Sequence, residues 1–140
     1  MSIVKKLLAT KAGGFWSIAP HAKVIEALRL LAEKNVGALL VMEGDELVGI
    51  LSERDYARKV ALMGKTSMET PVSDIMASPV VTVTLQQTLE ECMTIMTEKR
   101  MRHLPVVNNG RVVGLLSIGD LVKTVIQEQQ ETIQRLYNRF

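Results

Sequence analysis

The sequence predicts an α+β fold, an α/β sandwich-like pair of pseudo-symmetric β-α-β-β-α repeats packed through their sheets. Three observations predict it. First, the chain repeats itself without a gap at a spacing of 65 positions. Leu47-Val48-Gly49-Ile50-Leu51-Ser52-Glu53-Arg54-Asp55 returns as Val112-Val113-Gly114-Leu115-Leu116-Ser117-Ile118-Gly119-Asp120. Upstream in the same register, Glu26 falls on Glu91, Glu33-Lys34 on Glu98-Lys99 and Leu39 on Leu104. Second, helically spaced apolar residues and short unbroken apolar runs follow one another in the same order in both copies. Third, the chain has 140 residues, so each copy is of a size at which one core is marginal alone. The halves are therefore expected to fold together.

The first repeat, with its lead-in, is expected over 1–65. Ile3 to Ala9 reads as a short helix stopped by Gly13-Gly14. Phe15 to Ile18 reads as a strand, and Pro20 with the polar residues around His21 as the start of a helix. Val24, Ala27, Leu28 and Leu31 then recur at helical spacing, with Glu26, Arg29 and Glu33 on the other face. Val36 to Met42 is an apolar run short enough for a buried strand; Glu43 to Glu46 is a turn and Leu47 to Leu51 the returning strand. Asp55 to Met63 reads as a helix closed by Gly64. Residues 66–71 are polar and end in Pro71, which marks a linker.

The second repeat, 72–140, follows the same order. Val72 to Met76 is a second short lead-in, Val80 to Val83 a strand, and Leu89 to Lys99 a helix with Leu89, Cys92, Met93 and Met96 inward. Leu104–Val107 and Val112–Leu116 form a hairpin across Asn108-Asn109-Gly110, since Asn-Gly favours the tight turn that such pairs need. A last helix runs from Asp120 nearly to Phe140. Val122, Ile126, Gln129, Ile133, Leu136 and Phe140 are spaced along it like an interrupted heptad stripe. Two uses fit that stripe: docking on the home core, or packing against another subunit.

Composition narrows the function classes. With 47% hydrophobic and 23% charged residues the chain is of ordinary globular type, and a net charge of +2 gives no footing for nucleic acid or an anionic membrane. Arg135 and Arg139 lie close together, but Glu128 and Glu131 share their helix, so a DNA-binding reading is disfavoured. A single cysteine excludes an internal disulfide and suits a reducing compartment. The apolar run Leu7-Leu8-Ala9 is too short for a signal-peptide core, and no run approaches a bilayer span. A cytoplasmic protein is expected. There is no phosphate-binding loop, no dinucleotide fingerprint and no Cys/His cluster with metal spacing, so neither catalytic nor metal-binding residues are assigned.

Chemistry is concentrated in the doubled Ser-x-x-Asp. Where a strand hands over to a helix it suits a capping box, the hydroxyl taking a backbone N–H and the acid sitting at the third helical position. It suits a phosphorylated ribose as well. The hydroxyl and the free N–H groups of a helix start donate to phosphate, while the carboxylate accepts from the ribose hydroxyls. Both readings stand on the pattern. Cys92, on the inward stripe of its helix, is expected to be a small buried hydrophobe.

The doubled unit ending in Gly-h-h-Ser-x-x-Asp (h apolar), with Arg102-His103-Leu104-Pro105-Val106 in its second copy, resembles a tandem pair of CBS domains, or Bateman module. The similarity covers nearly the whole chain and is greatest to stand-alone bacterial two-CBS proteins. It implies clefts that bind adenine nucleotides (AMP, ADP or ATP, in some members NAD or S-adenosylmethionine) and homodimers of disc shape. Residue by residue, it implies Asp55 and Asp120 for the ribose diol and Ser52 and Ser117 beside the phosphate. It implies Gly37, Ala38, Arg102 and His103 beside the adenine, and Ile18 and Val83 lining the base pocket with Thr82 or Thr84 bonding the base. Arg54 has two readings, a phosphate contact or a solvated charge. Asp120 is expected to mark the better site.

The function implied is regulatory: occupancy by an adenine nucleotide, in energy or redox sensing, is signalled to an effector protein, with no enzymatic activity. The alternative is a ligand-free scaffolding or dimerisation protein that keeps the fold without the pocket.

Overall fold

A computed structural model describes residues 3–11 and 14–139. It divides into two compact units. A first-repeat unit runs from Phe15 to Val81, and a second-repeat unit takes the chain up to Gly14 and from Thr82 onward. The mixed helix-and-strand content with small sheets is the class that the sequence predicts.

The first-repeat unit contains β1 (Ser17–Ile18), α2 (Val24–Lys34), β2 (Ala38–Glu43), β3 (Glu46–Ser52) and α3 (Glu53–Tyr56), which continues as a π-turn over Ala57–Ala61. Its sheet has the order β1-β2-β3, with β1 parallel to β2 and β2 antiparallel to β3. Val24, Ala27 and Leu31 on α2 pack with Leu39, Val41, Leu51, Val60, Val72 and Ile75 in one core. The helix begins at Val24 rather than at Pro20 and His21, which form a turn before it. Residues 66–71 pack against that helix: the backbone N–H groups of Val24 and Ile25 donate to Thr70 O and Ser67 O at 2.9 and 2.8 Å. They thereby satisfy donors that a helix start leaves open. The helix of the first repeat starts at Glu53, two residues before its expected Asp55, because Ser52 caps it.

The second-repeat unit holds α1 (Val4–Thr10), α4 (Leu89–Lys99), β4 (His103–Asn108), β5 (Arg111–Ser117) and α5 (Ile118–Tyr137). Asn109 and Gly110 both have positive φ, 53° and 78°, as the tight hairpin turn requires. Leu89, Cys92 and Met96 face inward on α4 and are buried, whereas Met93 is half-buried. Gly13 and Phe140, the stop signal's first glycine and the stripe's last residue, lie outside the described residues.

The strand expected over Val80–Val83 does not form. Only Val83 pairs, in an isolated parallel bridge with Val106. The reason lies 65 positions apart in the repeats. In the first, the Leu40 N–H donates to Trp16 O at 3.0 Å and extends the β1–β2 pairing. Its counterpart in the second is Pro105, which has no N–H to give to Val81. One missing donor removes the strand.

The lead-ins are exchanged between repeats. Val4 N–H and Lys5 N–H, from the first lead-in, donate to Gln87 O and Leu85 O at 2.9 Å. In the other unit, Val72 N–H and Ser73 N–H, from the second lead-in, donate to Ala22 O and Pro20 O at 2.8 and 2.9 Å. Side chains follow the same rule, Leu8 lying on Gly114 and Met76 on Gly49. A Cβ on Gly114 would stand 2.8 Å from Leu8 Cδ2, and one on Gly49 2.8 Å from Met76 Cγ. The bare backbone at these glycines is what lets the lead-ins come close.

Gly114→Val is therefore expected to destabilise the protein by about 1–3 kcal/mol through overpacking. In urea denaturation, Leu8→Ala should recover at least ~0.5 kcal/mol of that loss when combined with it. Strictly additive losses would show that Leu8 does not confine this position.

Candidate functional site

Each unit builds the same turn at the C-terminal end of its hairpin. In the first, Ser52 Oγ accepts from the Asp55 N–H at 3.2 Å, and Asp55 Oδ2 accepts from the Ser52 N–H at 2.9 Å. The Ser52 hydroxyl also donates to Asp55 Oδ2 at 2.9 Å. In the second, Ser117 Oγ accepts from the Asp120 N–H at 3.1 Å and Asp120 Oδ2 from the Ser117 N–H at 2.9 Å. These are complete capping boxes, each satisfying two backbone donors at a helix start. The next N–H is placed alike in both: Glu53 N donates to Gly37 O at 3.1 Å and Ile118 N to Arg102 O at 2.9 Å.

Those bonds gather the predicted residues at one end of each hairpin. Ala38 pairs with Ser52 and His103 with Ser117 across the ladders, so Gly37, Ala38, Ser52 and Asp55 share one end, and Arg102, His103, Ser117 and Asp120 the other unit's equivalent. Ile18 and Val83 sit further up, opposite Val41 and Val106, three residues or roughly 10 Å along the strand. Val83 and Ala38 are buried, Ile18 half-buried, and Thr82, Arg54 and Arg102 exposed. Thr84 N–H donates to Gln87 Oε1 at 2.9 Å, which ties the loop before α4.

Each acid also carries a lysine, and the two lysines have different origins. Lys59, one turn along the helix, reaches Asp55 Oδ1 at 3.4 Å and donates to Ile75 O at 3.1 Å. Lys11, at the C-cap of α1, lies 2.8 Å from Asp120 Oδ2 and donates to Leu115 O. Lys59 was legible as a cation one turn beyond Asp55. Lys11 was not, because the exchange of lead-ins aligns it with Pro79, and nothing in the repeat marks it as a neighbour of Asp120.

Burial pushes the Asp120 carboxyl up, but the hydrogen bonds from Lys11 and Ser117 and the Lys11 charge outweigh it. The carboxyl is held below the usual carboxylate range. Burial, then the nearby Glu91 charge, pushes the Cys92 thiol up to about 11, so it stays protonated at neutral pH and serves as a small core residue. Among the described residues no three His, Cys, Asp or Glu side chains assemble as a metal site, and no helix is long and apolar enough to cross a membrane.

The CBS domain family model matches the chain twice, over residues 10–62 and 72–127. The chain belongs to the CBS-domain family. It is 46% identical to a protein with CBS domains from Burkholderia ambifaria whose structure superposes with a TM-score of 0.87, over 91% of this chain and 96% of that one. It is 38% identical to the CBS domain-containing protein CBSX3, mitochondrial, of Arabidopsis thaliana, over 97% of this chain and 69% of the relative. The fold is shared with the CBS domain pair of protein MJ0100, solved in complex with 5′-methylthioadenosine and S-adenosyl-L-methionine (TM-score 0.79, 22% identity, 91% and 98% coverage). CBS domains are generally regulatory modules rather than catalysts.

The lowered Asp120 pKa sets a sign. A carboxyl whose folded pKa lies below its unfolded value, about 3.9, contributes stability above that value and loses it as pH falls through the folded one. The stability difference between the parent and Asp120→Asn should therefore be present at neutral pH and shrink in acid. In Lys11→Met, an NMR titration should find the Asp120 carboxyl at higher pKa than in the parent. An unchanged pKa would show that Lys11 does not hold it.

Proposed function

We propose that the protein is a regulatory module that binds an adenine nucleotide at the Ser-x-x-Asp turn and passes occupancy to an effector protein. One observation carries the reading. The same strand-to-helix turn, with a half-buried acid at the third helical position and a hydroxyl, recurs 65 residues apart in both units of a CBS chain, and a lysine of separate origin reaches the acid in each. A carboxylate suits a ribose diol, and the backbone N–H groups of a helix start suit a phosphate. Asp55 and Asp120 are assigned to the diol and Ser52 and Ser117 to the phosphate side. Gly37, Ala38, Arg102 and His103 are assigned to the adenine side, with Ile18, Val83 and Thr82 towards the base and Arg54 towards phosphate. The adenosyl ligands of the MJ0100 pair support the ligand class.

The reading includes a homodimer, supported by the exposed Val122, Ile126, Ile133 and Leu136 on α5. It includes the cytoplasm, supported by a single cysteine, which leaves no partner for an internal disulfide. The scaffold alternative has its own support, since both Ser-x-x-Asp pairs already serve as complete caps.

A thermal-shift series with AMP, ADP, ATP, NAD and S-adenosylmethionine separates the two. A ligand at a hundred times its Kd stabilises by about 2.7 kcal/mol, which is roughly 5 °C or more here. One adenosyl compound should give that rise, and the Asp→Asn change at the filled site, Asp120→Asn for the second repeat or Asp55→Asn for the first, should remove it while leaving a folded protein. A series with no rise would leave the turns as caps and favour the scaffold.

A further inference from the structure

We infer that Lys11 is a ligand-contacting residue of the second-repeat site, forming with Asp120 a donor–acceptor pair that selects a cis-diol. The inference rests on the adenine-nucleotide reading and adds to it a residue that the second repeat does not itself contain.

The geometry fixes the ammonium. Lys11 Nζ is held between two oxygens, Leu115 O at the end of β5 and Asp120 Oδ2 at 2.8 Å, and its side chain is largely covered, with 24% exposed. An ammonium has three N–H donors. Two are spent on those oxygens, which leaves one for a ligand. Asp120 is committed through the same atom, since Oδ2 takes both the Ser117 N–H and Lys11. Oδ1 is the oxygen assigned to the ligand.

The site thus offers one acceptor and one donor from a charge pair. A vicinal diol matches both: one hydroxyl donates to Asp120 Oδ1, and the other accepts from Lys11 Nζ. The ring holds its two hydroxyls at separate positions, so a deoxyribose, which keeps one of them, loses one of the two charge-assisted bonds. Hydrogen bonds to charged groups are the stronger kind, so discrimination against a deoxyribose should be marked. Phosphate selection is a separate task, because moving Lys11 to a phosphate would cost both of its present acceptors.

The first-repeat unit differs. Its acid is paired through Oδ1 at 3.4 Å by Lys59, a helix neighbour that is 46% exposed. That ammonium also reaches Ile75 O at 3.1 Å, but it is more exposed than Lys11, stands farther from its acid and approaches the other carboxylate oxygen, so it offers a weaker donor. Selection of the diol by an acid and a lysine together is therefore assigned to the Asp120 site alone.

The test titrates AMP, 2′-deoxy-AMP and 3′-deoxy-AMP calorimetrically into Asp55→Asn protein, which isolates the second-repeat site. With Lys11 in place, AMP should bind about ten-fold or more tightly than either deoxy form. Adding Lys11→Met should weaken AMP about ten-fold and bring it level with the one deoxy form that lacks the hydroxyl facing Lys11, while the other deoxy form stays weaker. A merely structural lysine would lower the melting temperature and leave the ratio unchanged, which would overturn the inference. Should Lys11→Met not fold, the side-chain ammonium signal of Lys11 in wild-type protein decides instead. It should shift on saturation with AMP and less with the deoxy forms, and an unmoved signal overturns the assignment.

The two levels fail differently. Loss of discrimination in Asp120→Asn but not in Lys11→Met removes only the role of Lys11. AMP binding that is absent, or indifferent to Asp120→Asn and Asp55→Asn alike, removes the nucleotide reading and the inference together.

Discussion

The serine-to-amide bond that turns each hairpin into a helix is the interaction on which the rest depends. At Ser117 it converts the extended backbone at the end of β5 into the first turn of α5, and it holds the Asp120 carboxylate across the turn. A side-chain cap of this kind contributes on the order of 1 kcal/mol. Its geometric consequence is larger. It places an acid, a hydroxyl and a set of helix N–H groups at one end of the ladder, beside the first residues of β4. Structure and candidate chemistry thus draw on the same atoms, and a capping box need not exclude a ligand. The cap at Asp120 engages one carboxylate oxygen and a ribose needs an acceptor, so the acid can serve both.

Much of this was legible because duplication prints the same physics twice. The strand-to-helix turn, the hairpin at Asn109-Gly110 and the boundaries of α4 follow from local residue chemistry, which survives in any context. The left-handed residues that end α2 and α4, Asn35 and Arg100, also recur at the repeat spacing with φ of 53°. What escaped the sequence was non-local. The loss of the Val80–Val83 strand depends on a proline in a neighbouring strand, and the short apolar run by itself gives no hint of it. The purpose of Gly49 and Gly114 depends on which lead-in covers them, and the lead-ins are exchanged. Lys11 escaped for the same reason: its place beside Asp120 is created by topology.

That exchange gives the candidate sites different characters. Asp55 is balanced by a lysine of its own helix, half-exposed and i,i+4 in spacing, an arrangement worth little in water. Asp120 is balanced by a lysine delivered from the lead-in of the other repeat, with both side chains largely covered. A partly buried pair is screened less by salt and holds its geometry better. Two copies of one motif therefore do not make two equal sites. Any ligand that engages Lys11 also engages the C-cap of α1, the segment whose Leu8 rests on Gly114. Occupancy at the turn and docking of the lead-in are thus physically adjacent, which is the arrangement a regulatory module needs if binding is to favour one conformation over another.

The most direct measurement is a crystal structure of the protein grown with AMP at a concentration that saturates any calorimetrically detected site. The account predicts a ribose at the Ser117–Asp120 turn, its hydroxyls within about 3 Å of the Asp120 carboxylate, with the capping bonds intact. AMP bound elsewhere, or both turns empty in a crystal that holds AMP, would contradict it and return Ser-x-x-Asp to the role of a helix cap alone.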